Sequence, residues 1–466
     1  MYPMRIIILG AGRVGSTVAS NLSSENIDIT LIDKDQKVID AVCERLDVSA
    51  ICGNVSHPDV LESAGTKHAD IIIAATDSDE TNMTACQVAH YLFKVPKKIA
   101  RVRARTFIDV QEQLFNPNAI PIDVIINPEN EIVQFIKNLI LHPGSQQVLS
   151  FANGVLSLVE TKCNRDCALV GKSLDDLTRL LRGVYARIAL IYRDSEIIIP
   201  NYHTIIEEHD RVFFIAPSKD IQQVLSVLFN QDKAYKRLII AGGGRIGLGL
   251  AKELENTLQV KIITKSSEKA YELSEQLDHS IVLSGDTTDE AFLLDENIDR
   301  TDVFCTLTSD DETNILCSML AKSLGAKVVM SLVDRNAYMS MVDNGAIDNV
   351  IYPQHTTIGK ILSHIRQGAI ASVHSLLRGK AEAFEAIVSS RGQKNNLDGQ
   401  AIRDVKLPNG SMIIGLVREN ISIPARQDVI IKSGDHLIIF VADKSLIHQV
   451  EALFQPPKSF LRRFIN

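Results

Sequence analysis

The sequence predicts an α/β protein of two doubly wound parallel-sheet domains, each followed by a small α+β domain. Three observations carry this expectation: a repeat at a constant displacement, apolar strand-like runs alternating with helix-like segments, and a glycine triplet opening each copy. Ile6–Gly15 reads IIILGAGRVG and Leu238–Gly247 reads LIIAGGGRIG, so Gly10, Gly12 and Gly15 fall onto Gly242, Gly244 and Gly247 (242 − 10 = 232). The same displacement carries Gly53 to Gly285, Asp70 to Asp302, Thr76 to Thr308, and Asp79-Glu80-Thr81-Asn82 to Asp311-Glu312-Thr313-Asn314. A displacement held without drift over that span is a duplication.

Within the first copy, Arg5–Leu9 is an apolar strand run, followed by a glycine turn and a helix over Val14–Ser23. Ile29–Ile32 is the next strand, Gln36–Leu46 a helix, and Ile71–Ala75 a strand of the fully buried type. Asn82–Phe93 reads as helix and Ile99–Val102 as strand. Continuous apolar strands separated by helices call for a parallel sheet covered on both faces, the Rossmann pattern. After each copy the texture changes to short strands and turn residues, over Ser150–Phe229 and Ser372–Phe454. Ile197-Ile198-Ile199-Pro200 resembles Ile421-Ser422-Ile423-Pro424, and His209-Asp210-Arg211 resembles Gly434-Asp435-His436; short helices, Val224–Phe229 and Val450–Phe454, close the two units. The expected domains are 4–125, 145–230, 236–352 and 372–456, with seams near Pro143-Gly144, Gln231–Lys236 and Gln367–Ala371.

Composition narrows the function. The 466 residues are 45% hydrophobic and 23% charged, ordinary for a protein with buried cores. A net charge of −8, aromatics at 5% and no Trp argue against nucleic acid as a partner, since phosphate binding needs a basic face. Seven scattered cysteines without a CxxC pair fit a reducing cytoplasm better than a disulfide framework. The start MYPMRIIILG has no secretory pattern, and no stretch approaches the length and apolarity of a membrane span. Any membrane role is therefore expected through a partner. Histidine spacing offers no metal set, Cys163 and Cys167 read as structural, and Asp310-Asp311-Glu312 reads as a solvated helix start.

The glycine loops are the chemical signal. Gly10 would make the tight turn, Gly12 would let a pyrophosphate approach the backbone, and Gly15 would let helix and sheet pack closely, with Ala11, Arg13 and Val14 between them. Asp33, closing the second strand, is placed to accept hydrogen bonds from ribose hydroxyls and would repel a 2′-phosphate. In the second copy Gly242, Gly243, Gly244, Arg245 and Ile246 repeat the loop, but Thr264 stands opposite Asp33. That site is altered, weakened or a structural remnant. Arg13 and Arg245 have two readings, a phosphate contact or a solvent-facing first-turn arginine. Thr76-Asp77 and Thr308-Ser309 either wall the ligand crevice or cap the following helix.

These residues together resemble the RCK (KTN) family. Its specificity here lies in the duplicated IIxxGxGRxG, the TDSDETN and TSDDETN runs, and the smaller unit after each copy, which the resemblance makes RCK C-terminal domains. The resemblance covers essentially the whole chain. It implies lobes that bind NAD, NADH, ATP or ADP, that pair and assemble as a homo-oligomer (a tetrameric ring or dimer of dimers), and that act on a potassium-conducting membrane subunit from its cytoplasmic side. Carried over by position, the contacts are Gly10 to Val14, Asp33, Thr76, Asp77 and Arg101, then Gly242 to Ile246, Thr264, Thr308 and Ser309. The second copy reads Met330-Ser331-Leu332-Val333 where the first has Ala100-Arg101-Val102-Arg103, placing Ser331 at the arginine position; Pro353-Gln354 stands where Pro128-Glu129 does. The rival readings are a regulator of potassium efflux and an NAD-dependent oxidoreductase. The latter has only His142, His203 and His209 as acid/base candidates in the connecting unit.

Overall fold

The computed structural model describes residues 4–23, 27–165, 167–181, 183–229, 234–342, 345–366, 369–389 and 397–454. The expected seams at Gln231–Lys236 and Gln367–Ala371, and the last domain's end at 456, fall partly outside them. The first parallel sheet runs β3-β2-β1-β4-β5-β6, with β1 Met4–Leu9, β2 Ile27–Asp33, β3 Ser49–Cys52, β4 Ile71–Ala74, β5 Lys97–Arg101 and β6 Val124–Ile126. Its twin runs β14-β13-β12-β15-β16-β17, and the small antiparallel sheet between them runs β10-β9-β11-β8-β7. The ranges of the small sheet are β7 Ser145–Phe151, β8 Leu156–Lys162, β9 Arg187–Arg193, β10 Glu196–Ile198 and β11 Arg211–Pro217. Those of the second parallel sheet are β12 Arg237–Ala241, β13 Gln259–Thr264, β14 Ile281–Ser284, β15 Val303–Thr306, β16 Val328–Leu332 and β17 Asn349–Ile351. The last sheet, β18-β19-β22-β20-β21, comprises β18 Ile370–Leu376, β19 Ala381–Ile387, β20 Ser411–Arg418, β21 Ile421–Ile423 and β22 His436–Val441. The fold class is the one the sequence predicts.

The chain forms two compact units. One holds Met1–Pro128 with Gln354–Gln367 and Val373–Lys380; the other holds Glu129–Pro353, Gly368–Ser372 and Ala381–Asn466. In the first unit, β1 lies at the sheet centre because Ile6, Ile7, Ile8 and Leu9 are apolar on both faces, and all four are buried. Each such side chain removed from water contributes about 1.5–3 kcal/mol before entropy is charged against it. Helix Pro353–Ile365, which follows the second parallel sheet in sequence, packs in this first unit. The Gln354 carboxamide meets the Thr17 hydroxyl at 3.3 Å, and the Lys97 ammonium donates to the His364 carbonyl near the helix end at 2.6 Å.

In the second unit the reciprocal element is helix Pro128–Leu141. Its Ile132, Val133, Ile136, Leu139 and Ile140 join one core with Leu238, Ile240, Leu250 and Leu254 of the second parallel layer. Gly249 leaves room for this helix, since a Cβ there would lie 3.0 Å from Val133. The small sheets repeat one device at a displacement of 225. Arg193 forks onto the buried carboxylate of Asp210 (2.7 and 2.7 Å), and Arg418 forks onto Asp435 (2.7 and 2.8 Å). Among the described residues, no helix is long and apolar enough to cross a membrane.

Candidate functional site

The two glycine loops sit where the first strand of each parallel sheet enters a helix. In the first unit Gly10 has φ +97, and a Cβ there would lie 3.0 Å from the Thr76 backbone. At Gly15 a Cβ would lie 1.9 Å from the Gly10 carbonyl oxygen. At Gly12 it would meet nothing within 4 Å. The fold itself demands two of the three glycines; the third leaves bare backbone facing open space. That backbone is the start of helix Arg13–Leu22, which has no side-chain cap and no acid in its first turn. Uncapped N–H groups and the positive helix end together fit a phosphate. The second loop repeats this. Gly242 has φ +121, a Cβ on Gly247 would lie 2.0 Å from the Gly242 oxygen, Gly244 is open, and helix Arg245–Leu254 starts uncapped.

The middle residue differs for a packing reason. A Cβ at Gly243 would lie 2.5 Å from Leu273 Cδ1. By helix register (Gln36–Cys43 against Ser267–Ser274) Leu273 corresponds to Val42, so the shorter side chain coexists with buried Ala11 and the longer one requires glycine. Val14 and Ile246 are half-buried, whereas Arg13 and Arg245 are exposed at the first helical position.

Asp33 closes β2 beside the loop. Its Oδ2 accepts the Ala11 N–H at 2.7 Å and its Oδ1 the Asp35 N–H at 3.0 Å, and each oxygen retains acceptor capacity. Thr264 holds the same place: the Gly53 N–H donates to the Asp33 carbonyl and the Gly285 N–H to the Thr264 carbonyl. Thr76 and Thr308 follow β4 and β15 at the carboxyl edge. They do not cap. The caps are Ser78, accepting from the Thr81 N–H at 3.1 Å, and Asp310, accepting from the Thr313 N–H at 2.9 Å. Thr76 and Thr308 are instead held by a buried amide. Asn82 Oδ1 takes the Thr76 N–H (3.0 Å) and hydroxyl (2.7 Å), and Asn314 does the same for Thr308. Asp77 and Ser309 are exposed next to them.

Three expectations need correction. Arg101 aligns with Leu332 and not with Ser331: Ala74 pairs Ala100 as Thr306 pairs Ser331, and Asn82 and Asn314 donate to the Arg101 and Leu332 carbonyls at 2.9 Å. The cation is still missing from the second copy, but the residue replacing it is a mostly buried leucine. Secondly, Glu129 belongs to the second loop. Its Oε1 lies 4.0 Å from Arg245 Nη1, whereas Gln354 lies against Thr17 on the first loop's helix. Thirdly, Asp310-Asp311-Glu312 is more than a solvated start. Asp311 is buried and accepts the Asp334 and Arg335 N–H groups at 3.0 and 2.8 Å. Its counterpart Asp79, also buried, accepts those of Arg103 and Ala104 at 2.9 and 2.8 Å.

Thus Gly10 to Gly15, Asp33, Thr76, Asp77 and Arg101 share the carboxyl edge of β1, β2, β4 and β5, the crevice where such sheets take ligands. Comparison with known proteins matches the TrkA-N domain to residues 6–128 and 238–353, and the TrkA-C domain to 158–228 and 393–455.

The chain belongs to the TrkA family.

Curated relatives called Trk system potassium uptake protein TrkA include that of Halomonas elongata, 47% identical over 457 residues. Those of Vibrio alginolyticus and Haemophilus influenzae are 44% and 41% identical over 458. Each alignment covers 98% of this chain and 100% of the relative. Among solved structures, the GsuK RCK domain aligns at a TM-score of 0.61 and 17% identity, over 97% of this chain and 95% of that one. A GsuK channel bound to NAD aligns at 0.61 and 17%, over 97% and 79%. These likenesses establish the RCK fold.

In this TrkA-family chain the residues missed from sequence are Asp79, Asn82, Asp311 and Asn314, which anchor the loops forming the crevice wall. The signal was present. Both pairs survive the 232-residue displacement, while adjacent Met83 and Thr84 become Ile315 and Leu316.

Proposed function

We propose that this chain is the nucleotide-binding regulatory subunit of a potassium-uptake system. It works at the inner face of the cell membrane on a potassium-translocating partner of the TrkH/TrkG kind. The observation that carries the reading is the duplicated helix start at Gly12 and Gly244, where bare backbone and uncapped N–H groups face open space. Gly10 to Val14, Asp33, Thr76, Asp77 and Arg101 would hold NAD, NADH, ATP or ADP in the first copy. Gly242 to Ile246, Thr264, Thr308 and Ser309 would serve the second.

The chain acts by binding and without catalysis. A ligand preferring one arrangement of lobes shifts the population of a homo-oligomer, a tetrameric ring or dimer of dimers, and the partner senses that shift. The ligand is released unchanged. The test is calorimetric titration of NADH, NAD, ATP and ADP into the wild-type chain and the Gly12→Asp and Gly244→Asp variants, followed by potassium flux through the reconstituted partner. Saturable binding lost in the loop variants, with flux that follows occupancy and no ligand consumed, supports the proposal. Absence of binding by all four, or steady turnover, refutes it.

A further inference from the structure

The two loops differ most where the second strand of each copy ends. In the first copy the chain reads Asp33-Lys34-Asp35, and the residue paired with Asp33 on β3 is Cys52. In the second it reads Thr264-Lys265-Ser266-Ser267, and Thr264 is paired with Ser284 on β14. Two carboxylates (Asp33, Asp35), the Gln36 carboxamide and the Cys52 thiol have been replaced by four hydroxyls. The Ser267 and Ser284 hydroxyls lie 3.1 Å apart, and Lys265, Ser266, Ser267 and Ser284 are all exposed. Two acids are present: Glu268 in the first turn of the following helix, in the place of Lys37, and Asp286, in the place of Asn54, 3.1 Å from the Lys265 ammonium. Asp286 also accepts the Thr288 N–H (2.9 Å) and hydroxyl (2.7 Å), so it stays hydrogen-bonded if Lys265 turns away. The side chains of this ion pair are 63% and 46% exposed, and such pairs hold weakly.

A ribose 2′-hydroxyl is read by a carboxylate at the strand end, and a 2′-phosphate by hydroxyl donors and a cation with that carboxylate removed. We propose that the second glycine loop takes an adenine dinucleotide phosphorylated at the ribose 2′-oxygen, recognised by Thr264, Lys265 and the Ser267–Ser284 hydroxyl pair. The first loop takes the unphosphorylated form. The inference rests on the reading of both loops as nucleotide sites. It turns the loss of an acid at Thr264 from a defect into a change of specificity.

The experiment uses the full chain with its first loop blocked by Gly12→Asp, titrated calorimetrically with NADP+, NAD+ and coenzyme A, whose phosphate is on the 3′-oxygen. NADP+ should bind at least about tenfold more tightly than NAD+, the worth of one charged hydrogen-bond set. Thr264→Asp should reverse that order, and Lys265→Ala should reduce it without altering the far-ultraviolet circular dichroism. Equal or tighter binding of NAD+, while the wild-type chain still binds NAD+, overturns this inference and leaves the nucleotide-sensor reading standing. Equal binding of coenzyme A overturns the 2′ assignment. Failure of every nucleotide to bind the wild-type chain overturns both.

Discussion

Replacing Gly12 with aspartate separates the fold from the ligand. Gly12 adopts φ −64 and ψ −171, extended backbone open to any residue, and its Cβ would meet nothing within 4 Å. Aspartate is among the best helix N-caps, so Gly12→Asp should leave stability within a few tenths of a kcal/mol of wild type. The carboxylate would point into the space assigned to the pyrophosphate. Two like charges about 4 Å apart near a protein surface cost roughly 4 kcal/mol, equivalent to about a thousandfold in affinity. Gly15→Ala should do the reverse. Its Cβ has no room 1.9 Å from the Gly10 oxygen, and overpacking of this kind costs about 1–3 kcal/mol, lowering the melting temperature by several degrees. Calorimetric titration and thermal melts on both variants decide the matter. Retention of wild-type nucleotide affinity by Gly12→Asp would refute the assignment of the first loop.

Asn82→Ala should destabilise the first unit by about 2–4 kcal/mol, because the fully buried amide bridges Thr76 and the Arg101 carbonyl. A urea midpoint unmoved by the change would show the bridge to be idle. Glu129→Gln, made in the Gly12→Asp background, should tighten anionic ligands at the second loop by about two- to fivefold, since a long ion pair between the exposed Arg245 and the largely buried Glu129 is lost; weaker binding contradicts the placement of Glu129. Burial pushes the Asp302 carboxyl up, but hydrogen bonds from Lys327 and the Lys236 and Arg237 N–H groups outweigh it and hold the group below the usual aspartate range. Its contribution is therefore complete above the unfolded value, about 4, and is lost as pH falls through the folded one. Asp302→Asn should flatten the acid limb of the denaturation midpoint plotted against pH, and an unchanged slope would rule that out.

The sheets' central strands were legible because β1 and β12 are apolar on both faces and run straight into glycine turns. β3 was not, since Ser49-Ala50-Ile51-Cys52 is a four-residue edge strand, half-exposed and too short to show a pattern. The helix expected from Asn82 begins at Asp79, because acids in a first turn look solvated unless the backbone they bind is known. The register of Arg101 slipped by one because Lys97-Lys98-Ile99-Ala100-Arg101 carries no glycine to fix it; strand pairing fixes it. The larger failure concerns Glu129 and Gln354. Sequence distance says which sheet a helix follows, but only packing says which sheet it covers.

That exchange changes what the duplication means. Read along the chain, the second copy lacks the acid at Thr264, the cation at the end of β16 and the carboxylate at Gln354, and looks like a decayed site. Read in space, Glu129 stands 4.0 Å from Arg245 at the second loop, while Gln354 belongs to the first unit. The first copy thus keeps its carboxylate, Asp33, at the end of β2. The second carries Glu129 beside Arg245 at the glycine loop, and hydroxyls with Lys265, Glu268 and Asp286 at the strand end. A decayed copy would lose charge at random. Here Asp33 and Asp35 have no acidic counterpart, yet Glu268 stands where the first copy has Lys37 and Asp286 where it has Asn54, so charge is rearranged and not simply lost. Both loops also keep the two glycines the fold demands and the one it does not, Gly12 and Gly244. An open glycine at a helix start has no packing role to preserve it, so its presence in both copies is what the proposed ligand at each loop would explain, and the exchange of Asp33 for Thr264 is what a difference between those ligands would explain.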